Sequence, residues 1–165
     1  MSMVILQVEG ISGECQVEGF KDQILCESLS HDMTVEMEVT TNARRTVHVP
    51  KVENITLERK WDIASPKLIS RLLRAQSDKE WKIHCLKPLG DEGNQFVEFL
   101  TLELKNPLLA KHSLSVSEGD TTESLEINAT EINWIYKLSN ETNKATGGKG
   151  GVTFNLLTGK VQDSA

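Results

Sequence analysis

Long apolar runs are missing from this chain: no stretch approaches the roughly 20 residues of a membrane-spanning helix, so membrane insertion is not expected. Basic charge is also short, with 18 Lys and Arg against 24 Asp and Glu for a net charge of −6. That balance argues against general nucleic-acid binding, and the Arg44-Arg45 doublet reads as solvated loop. Three cysteines, Cys15, Cys26 and Cys85, are an odd number without a CxxC pair. Neither a disulfide framework nor a zinc site fits, and reduced structural thiols are expected. The start, Met1 to Leu6, lacks a basic region, a sustained apolar stretch and a cleavage site, so no signal peptide is expected.

Catalytic patterns are absent too. There is no nucleophile elbow, no HExxH and no recognisable carboxylate pair, so no enzyme, cofactor or metal is expected. Gly147-Gly148-Lys149-Gly150-Gly151 looks superficially like a phosphate cradle, but Gly150 stands where a P-loop needs Ser or Thr. His31, His48, His84 and His112 fall on four different strands with no close pair. The Asn54, Asn128 and Asn140 glycosylation patterns read as chance matches.

What is present is strand. At 165 residues, with 38% hydrophobic and 25% charged residues, the chain is expected to form one folded domain over residues 1–165. Its centre of organisation is Gln95 to Tyr136. Phe96 to Leu104 is rich in β-favouring residues and stops at Lys105-Asn106-Pro107. The next strand alternates Leu108, Ala110, His112, Leu114 and Val116, expected on the core, against Lys111, Ser113, Ser115 and Ser117. After the turn Glu118–Thr121, apolar residues are odd-numbered at Leu125, Ile127 and Ala129 but even-numbered at Ile132, Trp134 and Tyr136. A β-bulge near Thr130-Glu131 is expected from that flip of parity.

Before this centre, strands are expected at Met3–Val8 and 23–31, the latter with Leu25 and Leu29 on one face and Cys26, Ser28 and Ser30 on the other. Gly10 and Gly13 bracket the intervening turn, where positive φ is expected. Met33 to Val39 and Val47 to Arg59 flank an exposed loop. Ser65 is read as a helix cap and Pro66 as the first helical residue. The helix runs to about Gln76 and buries Leu68, Leu72 and Leu73. Glu80 to Leu86 is a strand burying Trp81, Ile83 and Cys85, joined to the centre by a hairpin turn at 88–94. A flexible Gly-rich C-terminal arm is expected from about residue 139, with a last short strand at Val152–Leu156.

The serine rows carry a physical consequence. Buried without partners, each hydroxyl would cost roughly 1–3 kcal/mol, so Ser28, Ser30, Ser113, Ser115 and Ser117 are expected to meet water.

Taken in order, several segments resemble the Hcp (haemolysin-coregulated protein) family, subunits of the inner tube of bacterial type VI secretion. They are Gly10 with Gly13-Glu14, Lys60-Trp61-Asp62 leading into Ala64-Ser65-Pro66-Lys67-Leu68, and Phe99 to Leu104. Gly119-Asp120 with Thr122-Glu123-Ser124-Leu125, and Ile132 to Tyr136, complete the set. The chain departs from its relatives at Pro107 and at Leu109 to His112. The resemblance implies a mainly β fold, a small antiparallel β-barrel of two sheets flanked by one α-helix. It further implies a homohexameric ring with a wide channel, stacking into a tube that meets a spike protein and a contractile sheath, with no fused toxin domain. Lumen positions implied by the spacing from Glu123 are Ser30, Ser115 and Ser117, giving an uncharged bore that carries small effector proteins. Thr41, Asn42, Arg44 and Arg45 are assigned to a loop reaching a neighbouring subunit or ring. The protein would sit in the bacterial cytoplasm before firing and leave without a cleaved signal. The alternatives are a ligand-binding β-barrel, which needs a closed apolar pocket, and an enzyme with clustered His or carboxylates.

Overall fold

A computed structural model describes residues 3–41, 44–88, 96–139 and 145–164. In chain order its elements are β1 (Met3–Val8), β2 (Ile24–Cys26), β3 (Ser28–Ser30), β4 (Met33–Thr34), β5 (Met37–Val39), β6 (Arg45–Val47), β7 (Lys51–Val52) and β8 (Ile55–Arg59). There follow α1 (Ser65–Leu73), β9 (Glu80–Pro88), β10 (Phe96–Lys105), β11 (Leu108–Ser117), β12 (Asp120–Asn128), β13 (Glu131–Ser139), β14 (Ala145–Asn155) and β15 (Val161–Ser164). One antiparallel sheet has the order β15-β14-β13-β10-β9-β1-β2, and a second has the order β11-β12-β8-β3. Two small ribbons, β4 with β7 and β5 with β6, complete the set. The mainly β, antiparallel, one-helix reading holds.

Apolar alternation builds the core. Val4, Leu6 and Val8 of β1 join Trp81, Ile83 and Cys85 of β9, while Ile55 and Leu57 of β8 join Leu125 and Ile127 of β12, all in one buried cluster between the sheets. Ile5 and Leu86 point the other way yet are buried, because residues 15–20 fold over them with Cys15, Val17 and Phe20. The turn into that cover uses its two glycines differently. Gly10 has φ +85°, whereas a Cβ on Gly13 would lie 2.5 Å from the Gln23 carbonyl oxygen, so what Gly13 supplies is space.

The chain passes between these two sheets four times, once by way of α1 and three times directly, and each direct crossing alters which parity faces the core. Ala129 and Ile132 are both buried, one leaving the small sheet and the other entering the large one. The flip at Thr130-Glu131 is therefore a crossing between facing sheets and not a bulge; there the Thr130 N–H donates to Lys105 O at 3.0 Å. Register shifts occur instead between Glu98 and Leu100, Leu109 and Lys111, and Lys137 and Ser139. Glu27, whose N–H donates to Glu58 O at 2.7 Å, splits the expected 23–31 strand in the same way. Before it Cys26 is buried and Leu25 is 40% exposed, the reverse of the expected faces; after it Leu29 turns inward. Lys105 to Pro107 is the remaining direct crossing, so β10 and β11 are consecutive without being paired.

The even-numbered face of β11 is only partly core. Leu109 is buried ahead of the register shift, but Leu114, in the last row of β8 with Glu123 and Arg59, is 49% exposed, and Val116, where the β11–β12 hairpin runs past β8, is 65% exposed. Its two-residue turn, Glu118-Gly119, has φ +52° and +81°, the left-handed pair a tight hairpin requires.

Helix α1 is the one helix among the described residues. Ser65 does not cap it: Ala64 is the N-cap residue, and the buried Ser65 hydroxyl accepts instead from Asp62 N and Arg59 Nη1. The helix ends at Leu73 in a Schellman turn, Gln76 N to Arg71 O and Ala75 N to Leu72 O, with Ala75 at φ +49°. Leu68 is fully buried and Leu72 packs on the core, but Leu73 is 79% exposed. At about 100° per residue Leu73 stands about 140° round the helix from Leu68, off the buried stripe.

Residues 145–151, read as part of an arm, have the backbone of a strand: Lys149, Gly150 and Gly151 pair with Lys137, Tyr136 and Ile135. Glycine lacks a side chain to signal a strand, but its N–H and C=O complete a ladder when a long neighbour such as β13 templates it. The expected hairpin turn at 88–94 falls mostly outside the described residues, although β9 and β10 pair antiparallel as anticipated.

Leu68→Ala should lower unfolding free energy by about 2–5 kcal/mol, while Leu73→Ala should stay within about 0.5 kcal/mol of the parent. Urea titrations of the two variants would separate them, and equal losses would contradict the docking described.

Candidate functional site

Cross-strand registers place both serine rows on one surface. Ser28 faces Glu58, Glu58 faces Ser124, and Ser124 faces Ser113, a single row across all four strands of the small sheet. A second row runs Ser30, Thr56, Glu126, Lys111. Ser115 opposite Thr122 and Ser117 opposite Asp120 extend the face beyond β8. Residues directly opposite share a side of the sheet, and the core-facing side is the other one, carrying Leu29, Leu57 and Leu125. All five serines are exposed. The structure thus gathers Ser30, Ser115 and Ser117, expected from distant strands, on one solvated face.

That face is not uncharged. Glu58, Glu126 and Lys111 stand among the hydroxyls, and sequence reading missed them because it followed serine and not the whole polar parity of β8 and β12.

Thr41, Arg44 and Arg45 are exposed at the far end of the β5–β6 ribbon, closed by Thr40 N donating to Arg44 O at 2.9 Å; Asn42 lies outside the described residues. The ribbon springs from the end of the sheet where β3 finishes and β8 begins. These residues form a separate surface from the serines.

Beneath the hydroxyl face lies a buried ionic cluster. Arg59 Nη2 is 2.6 Å from Asp62 Oδ2 and Nη1 is 3.4 Å from Glu123 Oε1. The same guanidinium donates to Ser65 Oγ at 3.0 Å and, through Nε, to Leu25 O at 3.2 Å. His112 Nε2 stands 3.7 Å from Glu123 Oε1, against the edge of Trp61. A second network sits on the outer side of the large sheet. His84 Nδ1 is 2.7 Å from Glu98 Oε1, its Nε2 is 2.9 Å from Gln7 Oε1, and Lys137 Nζ is 3.3 Å from Glu98 Oε2. Burial alone would push the Glu98 carboxyl up, but hydrogen bonds from His84 and Thr101 and the charges of His84 and Lys137 outweigh it and hold it down to about 2.

The histidines stay apart: His31 stacks on Trp134, His48 is exposed near Glu38, and His84 and His112 belong to the two networks. Among the described residues no group of three His, Cys, Asp or Glu is placed to hold a metal ion. The three cysteines are free and buried, and burial pushes Cys26 up to about 12 and Cys85 to about 11. An apolar slot of about 510 Å³ lies between the ribbon base and the large sheet, lined by Met33, Val35, Pro50, Val52, Trp134 and Phe154; it opens onto the surface.

Residues 5–136 match the family described as type VI secretion system effector, Hcp. Among solved structures the fold is similar to one described as a type six secretion system protein, at TM-score 0.87 and 18% identity over 98% of this chain and 100% of that one. It is also similar to Hcp1 from Salmonella typhimurium (TM-score 0.77, 18% identity, 98% and 99% covered). A type VI secretion system effector from Yersinia pestis is similar at TM-score 0.69 and 17% identity, with 92% and 98% covered. No curated protein matches the chain.

Glu98 supplies a pH test. Its folded-state value of about 2 lies below the usual 4.5, so the stabilisation it brings is complete above about pH 4.5 and is lost as pH falls towards 2. Glu98→Gln should therefore be less stable than the parent at neutral pH, with the gap closing through that window. Denaturant midpoints measured from pH 7 to 2 would check this, and a gap that stays constant would exclude the role assigned to Glu98.

Proposed function

This chain belongs to the Hcp family of type VI secretion system proteins, and from that premise we propose that it is a structural subunit of the secretion tube, closing into a homohexameric ring around a channel. The observation that carries the reading is the gathering of Ser28, Ser30, Ser113, Ser115 and Ser117 on one wet face of one four-stranded sheet. Turned to the axis of a ring, that face lines the channel with short side chains. It leaves a wide bore for a small folded effector, held by many weak polar contacts and by Glu58, Glu126 and Lys111.

Rings stack into a tube that meets a spike protein at its tip and a contractile sheath around it, and firing carries the subunit from the bacterial cytoplasm to the outside. Ser30, Ser115 and Ser117 are the cargo-facing positions, and Thr41, Asn42, Arg44 and Arg45 reach a neighbouring subunit or ring. The residues 1–165 act as one domain with a structural and not a catalytic role.

Light scattering should find a mass near six times the 18.4 kDa subunit. Ser30→Gln or Ser117→Gln, each repeated six times around the bore, should keep that mass and retain several-fold less cognate effector in pull-down. Monomer at micromolar concentration, with no rings in negative-stain images, would refute the ring. Full retention by both variants would refute the lumen assignment.

A further inference from the structure

The hydroxyl face has a sign. Its rows bring together three carboxylates, Glu58, Glu126 and Asp120, and two ammonium groups, Lys111 and Lys60. Two of the carboxylates have a cation at hand: Lys111 lies directly across from Glu126 in the second row, and Lys60 Nζ is 2.7 Å from Asp120 Oδ1. Glu58 has no cation across from it. In the row that crosses all four strands it stands exposed between Ser28 and Ser124, with Ser113 beyond.

Position sets Glu58 apart from an ordinary surface charge. β8 is an inner strand, flanked by β3 and β12, and glutamate is among the residues depleted from strands. The serine and threonine hydroxyls around it both donate and accept, so they take polar groups of either sign. The carboxylate only accepts, and it favours a positive donor. Other carboxylates do not converge on it: among the described residues no group of three His, Cys, Asp or Glu is placed to hold a metal ion. One carboxylate with hydroxyls on either side suits a Lys ammonium or an Arg guanidinium, each of which offers several donors at once.

We propose that the cargo of this face is a small folded protein bearing a patch of Lys and Arg, and that Glu58 is the residue that selects it. The inference rests on the ring reading above and adds the partner's charge. In a closed ring each copy brings one uncompensated carboxylate to the same height in the bore, and a channel wall of one sign focuses its field on what passes through. Such a wall repels a nucleic-acid strand and an acidic protein alike. At physiological salt the field reaches only about 8 Å, so the selection acts on cargo seated inside the bore and not at its mouth.

The probe is one small single-domain protein made in three surface-charge versions, about +8, near neutral and about −8. Its binding is followed by fluorescence anisotropy at about 0.05 M and about 0.5 M salt. At low salt the parent rings should bind the positive version on the order of tenfold more tightly than the neutral one, and high salt should remove the difference. Glu58→Gln should keep the six-subunit mass and lose most of that preference, and Glu58→Lys should transfer it to the negative version. Glu18→Gln removes an exposed carboxylate from the cover over the large sheet, and should leave the preference intact. Equal binding of the three versions, binding of none of them, or an equal loss from Glu18→Gln, in protein that keeps the six-subunit mass, would overturn the proposal and leave the ring standing. Absence of that mass in the parent would overturn the ring, while a preference that Glu58→Gln still removes from the lone subunit would keep the role of Glu58.

Discussion

One side chain holds the architecture together. Arg59, the last residue of β8 and 1% exposed, bonds Leu25 O on β2, an edge strand of the large sheet, Glu123 on the small sheet, and Asp62 and Ser65 at the start of the helix. Both sheets and the helix therefore meet at a single guanidinium. Its planar fork suits this role, since separate nitrogens serve separate partners at fixed angles where a lysine ammonium would offer a point charge.

The cluster is better understood as a device for specifying geometry than as a source of net stability. Desolvating two carboxylates and a guanidinium costs several kcal/mol per ion, which pairing only repays if every bond is in place. Loss of the arginine would leave two buried carboxylates unmatched, on the order of 3–5 kcal/mol. A competing packing that misplaced β8 or the helix by one residue would incur the same loss. Asp62 contributes twice, pairing with Arg59 through Oδ2 while Oδ1 accepts from Ala64 N, so the ion pair also sets where the helix begins.

Much of the strand content was legible because period-two patterning survives in isolation: β1 matches its sequence-read bounds, and Trp81, Ile83 and Cys85 share the buried face expected of them. What sequence could not reveal was where the chain changes sheets. A parity flip looks the same whether it comes from an inserted residue or from a crossing to the facing sheet, which is why Thr130-Glu131 read as a bulge and the faces of Leu25 and Cys26 were reversed. The candidate site was half visible. Serines stood out on their own strands, but that Ser28 and Ser113 share one row depends on β8 and β12 lying between them. Arg59 and Glu123 gave no local signal, because 64 residues separate partners that only tertiary structure unites. Leu73 follows Leu72 in sequence, but one residue is about 100° of helix, which carries it off the stripe that Leu68 and Leu72 share.

The same sheet geometry separates surfaces by chemistry. A face of hydroxyls and charges must stay wet, since each buried hydroxyl without a partner costs roughly 1–3 kcal/mol, so that face is a poor place to build a dry subunit contact. The opposite face is spent on the core. Among the described residues, exposed apolar side chains include Val116 past the end of β8 and Met37, Val39 and Val47 on the ribbon, all off the hydroxyl face. The hydroxyl face and the exposed apolar positions occupy different parts of the fold, so either can change in sequence without disturbing the other.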